Sequence, residues 1–489
     1  MRKFHSYVRI IDIASEDTMH QTVFESNRPA AKIVADSLRD TKFECYWIDD
    51  VADSVARYPE LTGNQVVDDA VVGGGFAGLW TAIKLKTEHP DHRVVLLEAK
   101  LVGWAASGRN GGFCEASITH GESNGESRWP KEAEKLFRMG HENLDEMEKF
   151  IVENKLDAEF ERTGVLSVAN APHQVAWLEE GEDSVVLSKE EAQARIKSPT
   201  FLGATFSARE NAILHPAKLA AELARHAASI GVEIYENSLV QDLHGKADQP
   251  IVLQTPKGTV RAKRAALCTN VFPSLLKRYA LHTIPVYDYV LMTEPLTDEQ
   301  VASIGWEGRE GLADMANQFH YSRMTPDNRI LWGGYDAIYY TGGKVRAEYE
   351  DRMESHEKLA SHFFTTFPQL AGVKFSHRWA GAVDSSTRFC AFFGSALGGR
   401  VQYVAGFTGL GVGATHFAAD VIADRLNGRK TERTELEMVR QVPVPFPPEP
   451  IASMGINFTR WSMDRADHNE GKRNILLKTL DALGLGFDS

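Results

Sequence analysis

The segment from Asp69 to Glu98 limits what this chain can fold into more than any other. An apolar run, Asp69-Ala-Val-Val, leads directly into Gly73-Gly-Gly75-Phe-Ala-Gly78, and residues 79–88 carry apolar side chains at helical spacing until His89-Pro90 interrupts them. A second run of buried-strand type follows, Arg93-Val-Val-Leu-Leu-Glu98. Strand, glycine turn, helix and strand within about thirty residues make one βαβ unit, so a parallel strand pair with a crossing helix is expected. Gly73 permits the tight turn, Gly75 lets backbone approach a pyrophosphate, and Gly78 lets the helix pack on the strand. Phe76 and Ala77 open the helix, whose N-terminus stabilises negative charge. Glu98 stands twenty residues past Gly78, where an acid reaches ribose hydroxyls, with Ala99 and Lys100 directly after it. The hexapeptide alone is a pattern that glycine-rich chains reach by chance. Its setting carries the reading, and because NAD and FAD share the fingerprint, both remain open at this step.

A chain of 489 residues exceeds one ordinary core, so two or three domains are expected. The formal net charge of -13 argues against a surface that neutralises phosphate backbones, and nucleic acid is not an expected partner. No stretch of about 18 uncharged apolar residues occurs, and acids and a His break the first twenty residues where a signal peptide needs an apolar run. Neither a membrane span nor a leader is expected, and the location read is cytoplasmic. Cys45, Cys114, Cys268 and Cys390 form no C-x-x-C pair, which favours buried reduced thiols over a disulfide framework or a metal site.

Immediately after the second strand comes Gly103-Trp-Ala-Ala-Ser-Gly-Arg-Asn-Gly-Gly112. This loop resembles the flavin-contacting loop of the FAD-dependent oxidoreductases of the D-amino-acid oxidase superfamily, in particular the gamma-glutamylputrescine oxidase-like branch. Small residues and exposed backbone N–H groups let such a loop run beside pyrophosphate and isoalloxazine. The resemblance implies FAD as the cofactor, with Ala106, Ser107, Gly108, Arg109, Asn110 and Gly111 beside it. Further blocks, PVYDYVLMTEPL at 285–296, RMTPDNRILWGGYDA at 323–337 and GFTGLGVG at 406–413, look like blocks of that branch in the same order, so the resemblance spans about 65–428. The last block is similar to a closure in which a helix N-terminus faces the flavin pyrimidine end, which would place Gly409, Gly411 and Val412 there. Val240 matches the position that holds the adenine end.

The fold implied is α/β: a Rossmann-like, glutathione-reductase-like FAD-binding domain from 63–125, 205–270 and 376–428, interleaved with a mixed or antiparallel-sheet substrate domain from 126–204 and 271–375. Residues 1–62 and 429–489 read as N- and C-terminal extensions, and a homo-oligomer is left open. The activity implied is oxidation of the C–N bond of a small amine or amino acid: the flavin takes a hydride, water hydrolyses the imine, and electrons pass to O2 or another acceptor.

His320 and Tyr321 lie on a strand resembling the one that faces the flavin in relatives, where an aromatic hydroxyl orients substrate; the plainer reading is a strand polar residue facing solvent. Arg388 falls where relatives place an arginine near flavin or a substrate carboxylate, with a structural ion pair as its alternative. Trp379 reads first as a buried structural side chain. Asp288, Asp314 and Asp336 could attract a polyamine cation but read better as surface or strand-end acids. Trp332 stands in for the lysine that activates oxygen in sarcosine-oxidase-like members, which leaves the electron acceptor open. Cys390 falls about ten residues past the position where those members attach FAD, so a non-covalent flavin is expected, with Cys114 a packed small residue and no metal. Two rival functions are an NADPH-dependent flavin monooxygenase, whose further nucleotide fingerprints are not found, and a non-catalytic flavoprotein held in a complex.

Overall fold

The computed structural model describes residues 20–181, 183–246, 248–334 and 336–485. The first nineteen residues of the N-terminal extension, and Tyr335 within the third resemblance block, lie outside the described residues. The βαβ unit forms as its sequence requires. Strand Gly63–Val72 pairs in parallel with Val94–Leu97, Asp69 opposite Val94, and helix Phe76–Glu88 crosses between them. The rest of the sheet grows from this pair. In order, Asp242–His244, Ile251–Thr255, Gly258–Leu267, Gly63–Val72, Val94–Leu97 and Val232–Tyr235 lie side by side, and Val401–Ala405 joins the far end of Gly258–Leu267 with Phe392–Ala396 outside it. Helices Phe76–Glu88, Pro216–Ser229 and Gly411–Leu426 contribute Trp80, Leu219 and Ala418 to one core against this sheet. Pro216 sits at the first turn of its helix, where no N–H is needed, and the preceding His215 ring accepts from Lys218 N at 3.2 Å.

The second sheet has nine strands in the order Lys42–Phe43, Phe375–Ser385, Ile284–Thr293, Ile330–Gly334, His320–Met324, Gly311–Asp314, Val165–Ala169, Gly203–Ser207 and Ser184–Leu187. It is mixed: the first pair and the pair Gly311–Asp314 with Val165–Ala169 are parallel, and the others antiparallel. Its two faces have different neighbours. Helix Met353–Thr366 packs on one, burying Leu359 and Phe363 beside Tyr289 and Trp332. The other face turns Val290, Met292, Leu331 and Trp379 toward Trp47 and the glycine-rich loop at 103–112.

Three boundaries differ from the sequence expectation. Residue 376, expected to begin a return to the nucleotide-binding half, falls inside Phe375–Ser385 of the nine-stranded sheet, and Gly203–Ser207 belongs to that sheet as well. A strand is assigned by its partners, and these two have partners only there. The segment expected as an N-terminal extension is built into the body: Lys42–Phe43 adds a strand beside Phe375–Ser385, and helix Tyr46–Val51 follows with Trp47 fully buried. Asp49 pairs with His377 at 3.0 Å and Asp50 with His215 at 3.2 Å. No helix among the described residues is long and apolar enough to cross a membrane.

Candidate cofactor and active site

The glycine turn is shaped by contacts that exclude any Cβ. Gly73 has φ +108°, and a Cβ on it would lie 2.3 Å from Cys268 O; on Gly78 it would lie 1.9 Å from Gly73 O. A Cβ on Gly75 would meet Ser107 Oγ at 2.7 Å, and that hydroxyl accepts from Phe76 N at 2.9 Å. Ser107 thus meets the first turn of a helix whose leading N–H groups have no intrahelical acceptor. Ala77 follows in the same turn and is buried. The Glu98 carboxylate is buried and accepts from Gly74 N at 2.7 Å and from Lys100 N and Trp104 Nε1, each at 2.8 Å. Burial pushes its carboxyl above the ordinary range while these donors pull it down. Lys100 N and Trp104 Nε1 both bond Oε1, so it is Oε2, with the single bond from Gly74 N, that keeps a lone pair for a hydroxyl donor. Ala99 separates Glu98 from Lys100, whose ammonium lies 3.9 Å over the Trp104 ring. Ser238 N donates to Glu98 O at 2.7 Å, so the segment leading to buried Val240 runs beside the same end of the cradle.

The loop at 103–112 is held from outside. Ala106–Arg109 form a single helical turn, and the Asn110 side chain staples it, donating to Ala106 O and Ser107 O at 3.0 Å and accepting from Gly112 N at 2.8 Å. Three successive carbonyls are taken by side chains of the surrounding layer: Gly108 O by Cys45 Sγ at 3.6 Å, Arg109 O by Trp379 Nε1 and Asn110 O by Trp47 Nε1, both at 2.9 Å. The Arg109 guanidinium is paired with Glu350 at 2.5 Å. At the closure, Thr408 and Gly409 adopt φ +51° and +91°, and helix Gly411–Leu426 starts with Val412 buried in its first turn. Gly406 N donates to Asp384 Oδ2 at 2.6 Å, and burial pushes that carboxyl up to about 6. A Cβ on Gly413 would meet Glu115 O at 2.7 Å, so this helix start closes directly on the strand that follows the loop.

Opposite the loop stands the front face of the nine-stranded sheet. Tyr321 lies there: a Cβ on Gly111 would meet its ring at 2.6 Å, a Cβ on Gly333 at 2.5 Å, and Phe113 meets it edge-on at 5.8 Å. The Tyr321 hydroxyl donates to Asp288 Oδ2 at 2.5 Å. Burial pushes the Asp288 carboxyl up to about 6, opposed by that hydrogen bond, and burial with the neighbouring carboxylate raises the Tyr321 hydroxyl well above its ordinary value.

The structure does not bring the other three expected side chains to this wall. His320, one residue from Tyr321, points to the back face, as strand alternation demands. Its Nδ1 lies 2.6 Å from Asp314 Oδ2 and its Nε2 2.9 Å from His362 Nδ1. Trp332 is on that back face too, 5.1 Å from the His320 ring and packed against Phe363 and Phe367. Arg388 is buried and clasps the C-terminal segment, donating to Met438 O at 3.0 Å, Gln441 O at 3.2 Å and Ala391 O. Asp314 and Asp336 are also engaged elsewhere, the latter with Arg352 and Lys358. Asp288 is the side chain that sequence reading set aside as a strand-end acid, and Trp47 is one it did not single out. The signal for Asp288 was present: a lone acid in a strand whose alternate residues, Tyr287 and Tyr289, are large and apolar. Glu146, His416 and Asp420 cluster with ligand atoms within 4.8 Å, but Asp420 is already paired with Lys84 at 2.6 Å and Arg433 at 2.7 Å.

A family model described as FAD dependent oxidoreductase (DAO) matches residues 68–425. Gamma-glutamylputrescine oxidoreductase of Escherichia coli K12 is 30% identical over 393 residues, covering 77% of this chain and 87% of that protein. Sarcosine oxidase subunit beta of Arthrobacter is 26% identical over 366 residues, covering 69% and 82%. Among solved structures, glycine oxidase from Geobacillus kaustophilus superposes with a TM-score of 0.62 at 21% identity, covering 75% of this chain and 96% of that one. L-proline dehydrogenase from P. horikoshii gives 0.62 at 18% identity, covering 76% and 96%. At these identities the structural likeness concerns the fold.

Proposed function

The chain belongs to the DAO family of FAD-dependent oxidoreductases, and on that premise we propose that it oxidises the C–N bond of a small amine or amino acid, giving an imine that water hydrolyses. The cradle suits FAD by its own chemistry: glycines at 73 and 78 that no Cβ could replace, a helix start facing Ser107, and a buried acid with a free lone pair. When bound, FAD supplies the two-electron acceptor. Gly73, Gly75, Phe76, Ala77 and Gly78 would hold its pyrophosphate, Glu98 to Lys100 and Val240 its adenosine, and Ala106 to Gly111 with Gly409, Gly411 and Val412 its ring end.

The observation that carries the reading is the Tyr321–Asp288 pair packed on Gly111, a hydrogen-bonded polar group on the one wall that meets the flavin loop. Its work is to orient a substrate nitrogen and keep water from it, which needs placement more than a strong base. The relatives' names span both halves of this reading, an amine derivative and an amino acid. We read the flavin as non-covalent: all four thiols are buried, and burial pushes those of Cys45, Cys114 and Cys268 up to about 12, which suppresses the thiolate that attachment requires.

The test is anaerobic absorbance of the purified protein in the visible flavin band, before and after a panel of amines and D- and L-amino acids, followed by air. Bleaching by one compound is expected. Recovery in air with peroxide assigns O2 as acceptor, and slow recovery assigns another. Indifference to the whole panel would overturn the reading.

A further inference from the structure

We propose that Asp288, held by Tyr321, binds the charged nitrogen of the substrate and takes its extra proton, so that this chain selects carboxylate-free amines and rejects α-amino acids. The proposal rests on the amine or amino-acid reading above and chooses between its two halves.

The front face provides the room and the charge. Asp288 pairs in register with Gly381, and a Cβ built on Gly381 meets nothing within 4 Å. Open space therefore adjoins the carboxylate on the same face as Tyr321. One Asp288 oxygen accepts from Tyr321, and the carboxylate keeps further lone pairs for substrate N–H groups. An α-amino acid would also need a cation for its carboxylate, and His377, Arg109 and Arg323 on this side are either paired or walled off. His377 is clasped by Asp49, and Arg109 by Glu350. Arg323, two residues along from Tyr321, has Nε and Nη2 without a partner among the described residues but no exposed surface; it is sealed behind Gly112, its Nη1 donates to Leu214 O, and it lies 5.3 Å from the Trp47 ring centroid. A zwitterion would reach Arg323 only by displacing the loop at Gly112. Its carboxylate would otherwise stand against Asp288 with no partner, a like-charge contact that is costly away from water.

The proton balance is simple. A bound R–CH2–NH3+ and the Asp288 carboxylate become R–CH2–NH2 and a neutral carboxyl, so no net charge is created at the site, and the nitrogen lone pair needed for oxidation is freed. A carboxyl that titrates near 6 can accept that proton and return it to water near neutral pH.

The test uses FAD-loaded protein and two readouts. tert-Butylamine has no hydrogen on its α-carbon and cannot be oxidised, so its binding is read as a difference spectrum of the flavin without turnover. Asp288→Asn, nearly the same shape, is expected to weaken that binding by about 10- to 100-fold, the scale of a hydrogen bond to a charged group. Tyr321→Phe should weaken it by about 3- to 10-fold, since the carboxylate remains. Gly381→Val should abolish it by filling the space while leaving the flavin spectrum in place. In wild-type protein, n-butylamine should bleach the flavin and glycine should not. Unchanged tert-butylamine binding in Asp288→Asn would overturn the proposal, as would bleaching by glycine and not by n-butylamine. The latter leaves the broader function standing, whereas a protein that carries no flavin at all overturns both.

Discussion

The two faces of the nine-stranded sheet are made from the same strands and do opposite things. Tyr321 and His320 are neighbours in the chain, yet one packs on the cofactor loop at Gly111 and the other is locked between Asp314 and His362. The back face is filled: Trp332, Phe363 and Phe367 interlock there, and Asp314, His320 and His362 bond one another. The front face is left thin at Gly381, and its acid has one partner side chain. A polar residue whose partners are all internal contributes to stability. One left with spare lone pairs beside a gap is available to a ligand.

That contrast can be broken most forcefully at Trp332. Trp332→Ala should cost about 3–5 kcal/mol in urea unfolding, the scale for emptying a large buried aromatic site, while flavin reduction by substrate in the surviving folded protein changes little. If reduction collapsed and stability did not, the two faces would have exchanged roles.

Acid should attack the back face next. Burial holds His356 neutral and lowers it to about 4, so the folded protein resists a proton that the unfolded chain accepts below about 6.5. Its stability contribution is therefore full above 6.5 and is lost as pH falls toward 4, with a slope of about 1.4 kcal/mol per pH unit. Unfolding free energies at pH 7 and pH 5 should differ by about 2 kcal/mol less in His356→Phe than in the parent.

On the front, Tyr321→Phe should lower the rate constant for flavin reduction at low substrate by about 10-fold, or about 1.4 kcal/mol, with the thermal midpoint within a few degrees of the parent. A fall in midpoint without a kinetic change would assign Tyr321 to the scaffold. The smallest effect expected is at Trp47, where Trp47→Phe keeps the ring and removes one hydrogen bond to Asn110 O, worth about 1 kcal/mol. Flavin retention on dilution should weaken about 5-fold, and an unchanged value would show that Trp379 and Cys45 suffice to hold the loop.

The nucleotide-binding half was legible because its constraints are local. Gly78 is dictated by the Gly73 carbonyl five residues back, and Glu98 follows from the length of one βαβ unit; the Cys268 carbonyl that also presses on Gly73 comes from distant chain. The substrate wall was only half legible. Resemblance brought attention to the strand that holds Tyr321, but which of two adjacent residues faces the loop depends on the register with Ile330–Gly334 and on which side helix Met353–Thr366 covers. Trp47 was out of reach for a plainer reason: it acts on a carbonyl 63 residues away, from a segment with no periodic pattern of its own.

By itself the sequence determined that this chain builds a parallel βαβ cradle for a dinucleotide, since glycine geometry and strand and helix lengths are properties of contiguous residues. Tertiary structure alone decided that Asp288 meets Tyr321, that His320 and Trp332 turn away, and that the residues around Trp47 brace the loop. Those outcomes depend on pairing between strands far apart in the chain, where a shift of one residue exchanges the two faces.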